Sequence, residues 1–325
     1  MNRREFIELL GGIAAWPFAA RAQTQGSAHK IGYLHPWSLE LPSYTLGLIR
    51  PVWQKLGYVE GETLLLRSAA DLSRLPSLVA ELINLGAGVL IVVGPGAVRA
   101  TAQATKIIPI VAIALETDPV RAGLAASINR PGGNVTGLFL DQPSLAGKWL
   151  QLLRETAPDI ERVALIWDPN SGTDQLDAAR AAAARMGLEA LVLEMRTSEE
   201  YESEFQKLGM LGSAPRTGII QLASPILISP YSRLSEASLR HRFPTMSFFK
   251  PQAKAGALMS YGPNLEAYYP RAAILADKIV KGARPAELPI EQPDRFELVI
   301  NLKTAKALGR EVPASLLALA DELIE

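Results

Sequence analysis

The sequence predicts an α/β protein built as two similar halves, each a parallel sheet covered by helices. Three observations carry this. Short apolar, β-rich runs alternate with Ala/Leu-rich helical patterns, the rhythm of βαβ units. The strand runs are almost continuously apolar, as expected for strands buried on both faces. The rhythm also restarts near mid-chain, and 325 residues exceed the ~250–300 at which a single core stops growing. Two sheets of about five strands are therefore expected, rather than a single sheet of about ten.

The first strand is "KIGYLHP" (30–36), followed by a helix at 44–56. "TLLLRSA" (63–69) leads to a helix at 75–85, and "GVLIVVG" (88–94) to a helix at 97–106. "IPIVAIA" (108–114) and "NVTGLFL" (134–140) complete the first set, the latter entered through the breaker "NRPGGN" (129–134). After a helix at 144–157 the pattern repeats. "RVALIWD" (162–168) precedes a helix at 172–187, "LEALVLEM" (188–195) a helix at 199–211, and "TGIIQLAS" (217–224) a helix at 231–240. "FPTMSFF" (243–249), "GALMSYG" (256–262), one helix at 265–281 and the strand "FELVIN" (296–301) close the series.

The chain begins "MNRREFIELLGGIAAWPFAARAQ". Arg3 and Arg4 form a cationic start, 9–20 is apolar but too short to span a bilayer, and Ala20-Arg21-Ala22 fits a cleavage site. Arg3-Arg4-Glu5-Phe6-Ile7 matches a twin-arginine export signal. Residues 1–22 are thus expected to be removed during export to the periplasm. The 33 basic and 33 acidic residues balance. Losing three arginines and two glutamates with the leader leaves a net charge of −1, with no basic field to collect nucleic acid. The absence of cysteine excludes disulfides, thiol catalysis and thiolate metal sites. Three scattered histidines, His29, His35 and His241, give no metal-ligand spacing, so no metal and no cofactor are expected.

In open parallel sheets a ligand sits outside the carboxyl ends of the strands. The residues there are Pro36, Trp37 and Ser38 after the first strand, Gly94, Pro95, Gly96 and Ala97 after the third, and Glu116, Thr117 and Asp118 after the fourth. In the second half they are Asp168 and Asn170, then Ser224, then Phe248 and Tyr261. The 94–97 turn opens a helix whose first amides could face an anion, or it is a tight turn with no ligand. Gly94-x-Gly96 also begins a dinucleotide fingerprint, but Arg99 stands where its third glycine belongs. Asp118 and Asp168 each precede a proline and could cap a turn, hold a ligand ammonium, or both. Trp37, Phe248 and Tyr261 could stack on an apolar ligand or belong to the core. No G-x-S-x-G elbow or placed histidine supports nucleophilic catalysis.

The stretches "LPSLVAELINLGAGVLIVVG", "TKIIPIVAIALETDPVRAGLAASINRPGGNVTGL", "GALMSYGPNLEAYYPRAAILADKIVKGARPAELPIEQP" and "FELVINLKTAKALGREVPASLLALADELIE" resemble the periplasmic substrate-binding components of ABC transporters. The better-known members of that group bind aromatic amino acids. The resemblance implies a type I periplasmic-binding-protein fold with two Rossmann-like lobes, a three-segment hinge and a cleft between them. It places lobe 1 at 30–141 plus 262–287 and lobe 2 at 142–261 plus 288–325, with crossings near Asp141, Tyr261 and Leu288. It implies a monomer that captures an amino acid, aromatic or branched, or a related carboxylate, and delivers it to a permease and its ATPase without chemistry. Members often carry an acid where this chain has Ser224 and an asparagine where it has Asp168, so either Asp168 takes over the charge or the ligand is an aromatic or aliphatic acid without an amino group. A periplasmic sensor feeding a receptor kinase and a secreted α/β hydrolase are the competing expectations.

Overall fold

The computed structural model describes residues 30–35, 44–68, 72–114, 117–139, 142–210, 216–224 and 231–325. The expected export signal, and Pro36, Trp37, Ser38 and Glu116, lie outside these residues. Strands β1 (Lys30–His35), β2 (Leu64–Ser68), β3 (Ala87–Val93), β4 (Ile110–Ala114) and β5 (Val135–Phe139) form one sheet in the order β2-β1-β3-β4-β5. Every pair is parallel.

Side chains alternate between the two faces of this sheet, as the period of a strand requires. Val89 and Ile91 join Ile31, Tyr33, Val111 and Ile113 on one face, under Ile49 and Trp53 of α1 (Tyr44–Lys55). Leu90 and Val92 join Leu34, Leu65, Ile110 and Ala112 on the other, under α2 (Leu75–Asn84) and α3 (Pro95–Ala104). Each such buried aliphatic side chain contributes about 1.5–3 kcal/mol. At the β4–β5 pair the backbones approach so closely that a Cβ on Gly137 would lie 2.1 Å from the Ala112 carbonyl oxygen. Only glycine fits there.

The second half opens with α4 (Ala146–Thr156) and β6 (Arg162–Trp167). It continues through α5 (Asp174–Arg185), β7 (Glu189–Glu194), α6 (Tyr201–Met210), β8 (Thr217–Gln221), α7 (Tyr231–Arg240), β9 (Thr245–Ser247), the short α8 (Lys250–Lys254) and β10 (Met259–Pro263). The chain then forms α9 (Leu265–Tyr268), α10 (Pro270–Val280), β11 (Phe296–Asn301), α11 (Leu302–Ala307), α12 (Ala314–Leu319) and β12 (Glu322–Ile324). The second sheet has seven strands, in the order β12-β11-β10-β9-β8-β6-β7. This corrects the expectation of about five parallel strands. β11 runs antiparallel to β10, and β12 pairs with β11. The expected helix at 265–281 is also two helices, because Pro270 has no amide to continue the first and instead starts the second.

The chain passes between the sheets after Phe139, after Pro263 and between Glu291 and Phe296. The second and third crossings fall later than Tyr261 and Leu288. Gly262 and Pro263 are still paired with β11, while Glu291 is tied to β5 through Phe139 N–H to Glu291 O (3.1 Å) and Glu291 N–H to Gly137 O (2.9 Å). Between these crossings the chain returns to the first half. There α10 packs on β3, β4 and α1 and buries Ala272, Ala273 and Ala276. Tyr268 Oη donates to the carbonyls of Glu291 (2.6 Å) and Phe139 (3.1 Å), and Arg271 grips Glu291 with two bonds of 2.7 and 2.8 Å.

Candidate functional site

β2-β1-β3-β4-β5 in the first sheet and β7-β6-β8-β9-β10 within the second are the same winding. Each reverses strand order once, between β1 and β3 and between β6 and β8. The crevice outside the carboxyl ends at such a reversal is where open α/β sheets bind ligands.

At the second reversal stands Asp168, only 2 % exposed. Its Oδ1 accepts from the Asn170 amide (2.9 Å) and from Asn170 Nδ2 (3.0 Å), and its Oδ2 accepts from Ser224 Oγ (2.8 Å). Local sequence builds this. Pro169 fixes the first residue of a one-turn 3-10 helix that Asp168 caps, Gly172 ends it at φ 83°, and Trp167 Nε1 donates to the Gly172 carbonyl at 2.7 Å. Ser224 is placed by its neighbour. Ala223 N donates to Gln175 Oε1 at 3.0 Å, and Gln175 Nε2 donates back to Ala223 O at 3.4 Å. Among the described residues Asp168 has no ion-pair partner. A buried carboxylate held only by neutral donors retains strong attraction for a cation.

The first reversal has different chemistry. Gly94 sits at φ 88°, a backbone conformation natural to glycine alone, and Pro95 opens α3. The amides of Gly96 and Ala97, in its first turn, have no intrahelical acceptor, and among the described residues no side chain caps this helix. Pro95 and Ala97 are buried. Beside them β1 ends at His35, which is fully buried and packs its ring 5.5 Å from Tyr33. Burial drives the His35 pKa down to about 4, so its ring is neutral at neutral pH.

After β4, Thr117 is buried and Asp118 is partly exposed. Asp118 Oδ1 caps the following turn through the amides of Val120 (2.9 Å) and Arg121 (3.1 Å), and Oδ2 accepts from Arg121 Nε (3.1 Å). Burial pushes the Asp118 carboxyl up, but these amides and the Arg121 guanidinium outweigh it and hold it below the ordinary value. Of the two aspartates offered as ammonium receptors, this one already has its cation.

Of the two described aromatic candidates, Phe248 lies in the core, while Tyr261 is only partly buried. Phe248 is buried between Trp149 (ring centroids 5.7 Å apart, edge-on) and Phe249 (4.4 Å). It belongs to the core because β9 ends a residue earlier and turns it inward. Tyr261 stacks on Phe296 at 5.9 Å across the β10–β11 pair, and its carbonyl accepts from Trp149 Nε1 at 2.8 Å. Sequence reasoning missed Gln175, Arg99, Arg121 and Asp174. Each lies in a helix or turn where its type is ordinary, so spacing carried no sign of them.

Two like-wound α/β lobes joined by three crossings, with a strand-order reversal in each, define a type I periplasmic-binding-protein fold. The protein-family model described as "ABC transporter substrate binding protein" matches residues 46–324. The chain belongs to that family, whose members bind substrates rather than transform them. It is 26% identical over 273 residues to a tyrosine-binding protein of Clostridioides difficile, a match covering 82% of this chain and 76% of that one. Among solved structures it is similar to a Streptococcus ABC domain in complex with L-Trp, with 22% identity, a TM-score of 0.79, and coverage of 91% of this chain and 99% of that one. It also resembles the ligand-free, open structure of a substrate-binding protein with adhesive properties from Clostridium difficile, with 23% identity, a TM-score of 0.60 and coverage of 91% and 99%.

Proposed function

We propose that this protein is the capture component of an ABC importer, working outside the cytoplasm and holding one amino acid between its two lobes. The observation that carries this reading is Asp168, a buried carboxylate at a strand reversal with no cation of its own among the described residues. An ammonium fits it. The amides of Gly96 and Ala97, aided by the α3 dipole, suit the carboxylate of the same ligand. Acceptors in one lobe and donors in the other match a zwitterion lying across the gap. The relatives reported with tyrosine and tryptophan favour an aromatic side chain.

Function then follows from population shift. A ligand touching both lobes gains contacts only when they close, and that difference drives closure. Moving from 1:99 open-biased to 99:1 closed takes about 5.5 kcal/mol, within the roughly 8 kcal/mol of a micromolar binder. Closing excludes water and strengthens both charge contacts. The closed form is what a permease and its ATPase would recognise, and the ligand leaves unchanged.

Calorimetry on the chain from residue 23 tests this. Tyrosine, tryptophan and phenylalanine are compared with tyramine, which lacks the carboxylate, and with 4-hydroxyphenylpropionate, which lacks the ammonium. Binding of an intact amino acid, with the deaminated analogue weakened most, is expected. Equal binding of the deaminated acid would remove Asp168 from the site, and no binding across the panel would overturn the amino-acid reading.

A further inference from the structure

Two side chains of the first lobe reach the second at the lip of the crevice. Arg99, on α3, donates from Nη2 to the Asn170 carbonyl at 3.3 Å. Arg121 stands between two carboxylates. It reaches Asp118 Oδ2 at 3.1 Å in its own lobe and Asp174 Oδ2 at 3.4 Å in the other. Both arginines are exposed, so neither supports a core.

Their acceptors belong to the turn that builds the site. Asn170, whose carbonyl Arg99 takes, gives both its amide and its Nδ2 to Asp168 Oδ1. Asp174 begins α5, just past the Gly172 end of the same turn, and α5 carries the Gln175 that positions the Ser224 loop. One short segment therefore holds a carboxylate inward, and offers a carbonyl and a second carboxylate outward to the facing lobe.

We propose that Arg99 and Arg121 are positioning residues for closure, a two-point latch on the turn that carries Asp168. The inference rests on the reading of two lobes that close on a ligand. Both contacts exist only while the lobes are together, so they favour the closed form before any ligand arrives. They also keep the Asp168 turn in its receiving geometry. Contacts this exposed are modest and screened by salt.

The absence of cysteine makes the test direct. Ile107→Cys in the first lobe and Met210→Cys in the second, at positions 86% and 74% exposed, take one spin label each. Pulsed electron paramagnetic resonance then reads the interlobe distance in ligand-free protein at about 50 mM salt. Arg99→Gln and Arg121→Gln should each lower the closed-to-open ratio by about 1.5- to 5-fold. Asp174→Asn added to Arg121→Gln should lower it no further, and the melting temperature should hold. Raising salt to about 500 mM should shift the parent toward the Arg121→Gln distribution. Coincident distributions for parent and variants at low salt would overturn the latch. The same samples titrated with the amino-acid panel separate the two readings. Variants that open while the parent binds nothing would keep the latch and sink the amino-acid ligand, whereas binding with unmoved distances would sink the latch alone.

Discussion

The two strand reversals share a winding and differ in chemistry. Among the described residues, the first lobe offers backbone to the crevice, with the uncapped amides of α3 behind the Gly94 turn, and a neutral buried His35 at the end of β1. In the second it is lined by side chains, with Asp168, Ser224 and Asn170 in one bonded set. Topology decides where a ligand can sit. The residues after each strand decide which end of it is received. On the proposed reading, donors on one side and a buried anion on the other would distinguish the two ends of a zwitterion, which two identical reversals could not do.

The largest expected effect removes the charge from the second side. Asp168→Asn should weaken amino-acid binding by about 30-fold or more, the cost of leaving one partner of a buried charge pair alone, while calorimetric unfolding stays cooperative. An unchanged dissociation constant would mean that the contrast between the reversals has no bearing on the ligand.

Next in size is the neutrality of His35 in the first lobe. His35 in the folded protein titrates near pH 4 rather than at its ordinary value near 6.5. Between these pH values the unfolded chain takes up a proton that the folded chain refuses. Stability therefore falls as pH drops from about 6.5 toward about 4, by up to about 3 kcal/mol, and levels off below. His35→Phe should flatten that part of a urea-midpoint profile. A profile as steep as the parent's would assign the acid sensitivity elsewhere.

Gly94→Ala sharpens the backbone half of the comparison. A Cβ at φ 88° costs about 1–2 kcal/mol, a drop of a few degrees in Tm by differential scanning calorimetry, and the displaced amides should weaken binding as well. Binding that survives with lowered Tm would show the turn serving the fold alone. The smallest effect is expected from Asp118→Ala. Loss of this cap should cost about 1 kcal/mol with affinity changed by less than about threefold. Because Asp118 titrates below its ordinary value, its contribution is present above that value and fades as pH falls through its folded pKa. A tenfold loss of affinity in Asp118→Ala would make it a ligand contact and erase the distinction from Asp168.

Local signals reached the frame of this molecule and stopped where distance in sequence took over. The apolar runs marked β1 through β11, most of them because a strand buried on both faces has to be written as one; β7, at the sheet edge and only partly buried, was still apolar enough to be seen. β12 escaped notice because "ELI" is short, terminal and partly exposed. Asp168 and Ser224 were visible separately as residues following strands. Their bond, spanning 56 positions, depends on β6 and β8 being neighbours, which no window of sequence contains. Phe248 looked like a stacking surface because it follows a strand, and only the position of Trp149 on α4 shows it pointing inward. The pairing of Arg121 with both Asp118 and Asp174 belongs to two lobes at once.

The late return of α10 to the first sheet sets a schedule for synthesis. The face formed by Ile31, Tyr33, Val89, Ile91, Val111 and Ile113 is roofed in part by residues 270–280, which leave the ribosome after the whole of β10. Until then the nascent chain carries an unfinished greasy surface of the kind that chaperones hold. Stop codons ahead of residue 270 should therefore yield insoluble fragments, even though all five strands of that sheet would already have been made.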